Sequence, residues 1–87
     1  MNAQLEDWKN GWHGLHLGLS LKEIERLIQL LKALQANPNQ HFHASGSHEG
    51  PGGLGDIEVY VKDASEPDNL SFSSLALAPG TEVHIKP

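Results

Sequence analysis

His41 and His43 form an HxH pair within NQHFHASGSHEGPGGLGDIEVYVK, residues 39–62, and His48 follows five residues later. On an extended strand successive side chains alternate between faces, so this spacing turns both imidazoles to one side, close enough to share a divalent ion. Imidazole with carboxylate suits zinc, copper or nickel, and a third ligand would come from His48, Glu58, His16 or His84. The chain has no HExxH pair and no cysteine, so no complete ligand set is spelled out. The reading taken from these residues is a polar recognition or dimer-contact face formed by His41, His43, His48, Glu58 and Tyr60. A metal-binding module on the His41/His43 strand, with His48 as third ligand, is the alternative. No cofactor is expected.

Other chemistry finds less support. GPGGLG, residues 50–55, is followed by a strand pattern, whereas a phosphate-binding loop must open onto a helix N-terminus. The serines sit in no nucleophile-elbow motif. Glu49, Asp56 and Glu58 lie close in sequence, but a hydrolase needs two carboxylates set across a cleft with separated pKa values. An enzyme is not expected. Trp12 adjoins the first apolar run and is expected to cover one end of the core, while Trp8 is open to either role, core cover or interface anchor.

The elements that must position these residues follow from periodicity. Leu15, Leu17 and Leu19 alternate with His16 and Gly18, as in a half-buried strand. Ser20 followed by Glu23 is a capping-box pattern, which predicts a helix beginning at Leu21. Leu21, Ile24, Leu27, Ile28, Leu31 and Leu34 recur at helical spacing opposite Lys22, Glu25, Arg26, Gln29 and Lys32. Asn37 and Pro38 stop the helix near Ala36. Strands are then expected at His41–Ser45, at Asp56–Lys62 and over TEVHIK, residues 81–86. LSFSSLAL, residues 70–77, changes phase across Ser73 and Ser74, which predicts a β-bulge. Together these elements predict an α+β fold in which one amphipathic helix packs on one face of a mostly antiparallel four- to five-stranded sheet. Residues 1–87 are expected to form a single domain, with residues 1–11 disordered.

Composition narrows the partners. Eleven acidic against six basic residues, a net charge of −5, disfavour nucleic-acid binding, which relies on clustered Lys and Arg. No apolar run reaches the roughly 20 residues of a membrane helix, so a cytoplasmic protein with no membrane partner is expected. Without disulfides, stability must come from apolar burial. A protein partner of basic character fits this balance, and the same charge is also that of an ordinary soluble protein. A homodimer through an exposed strand or the open sheet face is the alternative on grounds of fold and not of charge.

GLHLGLSLKEIERLIQLLKAL, HFHASG, GGLGDIEVYV and DNLSFSSLALAPGTEV resemble segments of a family of small bacterial immunity proteins of polymorphic toxin systems, from Trp12 onward. That resemblance implies a protein that binds and neutralises a cognate toxin. It carries over no functional residue. A self-associating structural subunit is a further alternative.

Overall fold

A computed structural model of the chain describes residues 1–73, 75–78 and 81–83. Its elements run β1 (Asn2–Asp7), β2 (His13–Gly18), α1 (Leu21–Ala36), β3 (His41–Ser45), β4 (Asp56–Tyr60), β5 (Leu75–Ala78) and β6 (Thr81–Val83). The α+β composition matches the expectation. The sheet does not: among the described residues the strands form three separate antiparallel hairpins, β1–β2, β3–β4 and β5–β6, and not one sheet of four to five strands.

The reason is local. β2 finds its partner upstream, in a segment expected to be disordered. Ala3 and Leu5 pair with Leu17 and Leu15. Asp7 accepts from the Lys9 amide at 2.8 Å and Asn10 from the Trp12 amide at 3.0 Å, side-chain turns that reverse the chain between them. Trp8 N–H donates to the Trp12 carbonyl at 3.1 Å and closes the connection. The Trp8 indole lies over Gly14, where a Cβ would stand 3.1 Å from the ring, so a side chain there would push the half-exposed indole aside by a few tenths of an ångström. Trp12 is 71% exposed and covers no core, contrary to its expected role. Leu70 and Phe72 lie outside any strand and are fully open to solvent. The irregularity in the last hairpin falls between Ala76 and Ala78, downstream of the predicted bulge. His84 and Ile85 lie outside the described residues.

The helix forms as its sequence dictates. Glu23 N–H donates to Ser20 Oγ at 3.2 Å, and Ser20 N–H to Glu23 Oε1 at 2.9 Å, so two otherwise orphaned donors are satisfied reciprocally. At the other end Asn37 N–H caps the Ala33 carbonyl at 3.0 Å. Leu34 is the buried residue of α1, at 6% exposure, and Leu27 and Leu30 on the same stripe are half-buried. Across from them the inner face of β3–β4 presents Phe42, Ala44, Ile57 and Val59, all half-buried. Between the two runs an apolar groove of about 180 Å³, also lined by Leu17 and Leu19.

Candidate functional site

The outer face of β3–β4 carries the polar residues singled out above. Register pairs His41 with Tyr60, His43 with Glu58 and Ser45 with Asp56, while Phe42–Val59 and Ala44–Ile57 point inward. Two columns result, His41, His43 and Ser45 facing Tyr60, Glu58 and Asp56, all exposed. The alternation of the sequence is what puts them there.

Within this face one group is strongly ordered. Ser45 Oγ donates to Asp56 Oδ1 at 2.8 Å, and His43 Nδ1 lies 2.9 Å from Asp56 Oδ2. The His43 and Ser45 hydrogen bonds, in that order, hold the Asp56 pKa below its ordinary value. An ionised Asp56 can only accept, so Nδ1 is the donor, and in the neutral form of the His43 ring the lone pair lies on Nε2. The His41 and His43 rings meet edge to face with centroids 4.9 Å apart. One potential ligand atom from each of His41, His43 and Glu58 lies within 4.8 Å of the others.

Beside this trio a second network ties down the strand end. Tyr60 hydroxyl donates to Glu66, which raises the tyrosine pKa and lowers that of the carboxylate. Lys62 Nζ donates to the Glu66 carbonyl at 2.9 Å and pairs with Asp68 at 3.3 Å. Tyr60 is thus engaged by a turn and not by the histidines.

The remaining predicted residues are elsewhere. His48 sits in the glycine-rich connection at φ 60, its Nε2 only 2.9 Å from where a Gly55 Cβ would stand, and it does not join the trio. Gly50, at φ 85, occupies a conformation that a side chain rarely adopts. Gly46 N–H donates to the Gly55 carbonyl at 2.9 Å, so the connection is a hairpin loop closed at its base. His16 pairs with Glu6 at 2.7 Å on the first hairpin. Asp56 and Ser45 were missed as site residues because their role depends on register; two five-residue strands joined by one glycine-rich loop would have paired them.

A separate surface lies on α1. Ile24, Ile28 and Leu31 are 42–44% exposed and Leu21 is 86% exposed, forming an apolar stripe about a third of a turn around the helix from Leu27, Leu30 and Leu34. The helix therefore uses only half of its apolar arc. No known protein family, curated protein or solved structure matches the chain.

Proposed function

We propose that the chain is a protein-binding module, and that it acts as an immunity protein that neutralises a cognate bacterial toxin by direct contact. The observation that carries this reading is the open Leu21–Ile24–Ile28–Leu31 stripe on an acidic chain. A solvent-facing apolar helix stripe is the anchor pattern of helix-in-groove recognition, with contacts at i, i+4 and i+7.

Charge selects among occupants. A net charge of −5 repels a second copy and attracts a basic domain, raising the association rate at low salt. The immunity role rests on the resemblance of the strand and helix segments to that family, which names a toxin as the partner. Its test is co-expression with any toxin domains encoded beside the gene. Wild-type chain is expected to restore growth, and Ile28→Asp, which places an unpaired charge in the centre of the stripe, to fail at equal abundance. Rescue by both, or by neither with any neighbouring toxin, contradicts the proposal.

A further inference from the structure

We propose that the outer face of β3–β4 is an open binding site for one zinc ion, with His41, His43 and Glu58 as its protein ligands. Register delivers the three side chains to one face, and one ligand atom from each lies within 4.8 Å of the others. Tetrahedral bonds of about 2.0–2.1 Å require ligand atoms about 3.4 Å apart. The set must therefore close by no more than about 1.4 Å, a shift within the χ1 and χ2 freedom of exposed side chains.

Three features make this more than a chance cluster. Asp56 accepts from His43 Nδ1 at 2.9 Å, fixing the tautomer that leaves Nε2 free, and Ser45 in turn fixes Asp56 at 2.8 Å. A carboxylate behind a ligating histidine is the support that metal-binding imidazoles ordinarily have, and it fixes the orientation of the ring. The charge is suitable: Glu58 and Asp56 bring two negative charges to the face, while the neighbouring cation Lys62 is drawn away to Asp68 and the Glu66 carbonyl. Two imidazoles and one carboxylate select a borderline ion such as zinc over calcium or magnesium, which prefer all-oxygen shells. Three protein ligands leave a fourth position for water or a donor from another molecule.

The proposal does not depend on the protein-binding role. Its test is a titration of metal-free protein with zinc against a chromophoric chelator. One saturable site per chain is expected, with magnesium unable to compete. His43→Ala and Glu58→Gln are expected to weaken binding at least about tenfold, and Asp56→Asn about 10–100-fold, the usual effect of removing the group behind a ligating histidine. His48→Ala and His16→Ala should bind as wild type. All these side chains are exposed, and an unchanged far-ultraviolet circular dichroism spectrum checks the fold. Should a variant fail to fold, the imidazole resonances of the wild-type protein decide, since one equivalent of zinc should move those of His41 and His43 and leave those of His16 and His48. Absence of a saturable site, equal loss on His48→Ala, or shifts spread evenly over all the histidines would overturn the assignment.

Discussion

Leu34 and Leu31 lie three residues apart on α1, yet the structure gives them different work. Leu34 is 6% exposed, against the half-buried Leu30 and Phe42 side chains, so Leu34→Ala removes fully desolvated carbons and leaves a void. Such truncations cost about 2–5 kcal/mol, and the loose packing beside the groove places this one at the lower end, about 2–3 kcal/mol. Leu31 is 44% exposed. Scaling the ~1.5–3 kcal/mol of a fully buried leucine by the roughly half of its area that is covered gives about 1 kcal/mol, with no enclosed void to add. Urea unfolding followed by helical circular dichroism measures both, and a shift in midpoint at constant slope reports stability alone. Partner affinity should rank the other way: Leu31→Ala loses about tenfold or more, equivalent to about 1.4 kcal/mol, while Leu34→Ala binds as wild type once folded. If Leu31→Ala destabilises the isolated chain as much as Leu34→Ala does, the stripe is covered in solution and the reasoning fails.

Ser20→Ala should cost ~1 kcal/mol, read from the same unfolding curves, since it removes the acceptor for the Glu23 amide. The terminal ammonium at 2.7 Å, followed by the backbone and side chain of Ser20, lowers the Glu23 pKa to about 2. A carboxylate with a depressed folded pKa stabilises above its unfolded value near 4.5 and loses that contribution as pH falls through about 2, so Glu23→Gln should flatten the acid limb of stability against pH. By the same sign Asp56 should titrate below the ordinary aspartate range in a carboxyl-carbon NMR titration, and His43→Ala should return it towards 3.8. Zinc at a hundredfold excess over its Kd should stabilise the protein by about 2.7 kcal/mol, and chelator should remove that increment while leaving the metal-free fold intact; unfolding on chelation would make the ion structural.

Local rules made the helix and the hairpin face readable. Ser20, Glu23 and Asn37 delimit α1 because capping depends on residues within a turn of each other. His41, His43, Glu58 and Tyr60 share a face because strand alternation has a fixed period. Pairing partners were less accessible. Ala3 and Leu5 alternate with Gln4 and Glu6 as Leu15 and Leu17 do with His16, but the acidic and aromatic neighbours of that segment masked a strand that joins β2 from upstream. The same apolar run could not say which part of the helix arc is covered, because Ile24 and Leu27 look alike to periodicity and differ only in what stands opposite them. Asp56 was visible as a carboxylate, but its grip on His43 depends on a diagonal contact that register alone reveals.

The most direct measurement is equilibrium binding of the purified chain to a panel of basic toxin domains, the proposed class of partner, by calorimetry at low and at physiological salt. A one-to-one complex is expected with at least one of them, tighter at low salt. Ile28→Asp should abolish it at a stability cost of only about 1–2 kcal/mol, as expected for a half-covered side chain, with circular dichroism confirming the folded helix. No saturable binding at micromolar concentration, or binding by Ile28→Asp equal to wild type, would contradict the assignment of the helix stripe as the surface through which this protein acts.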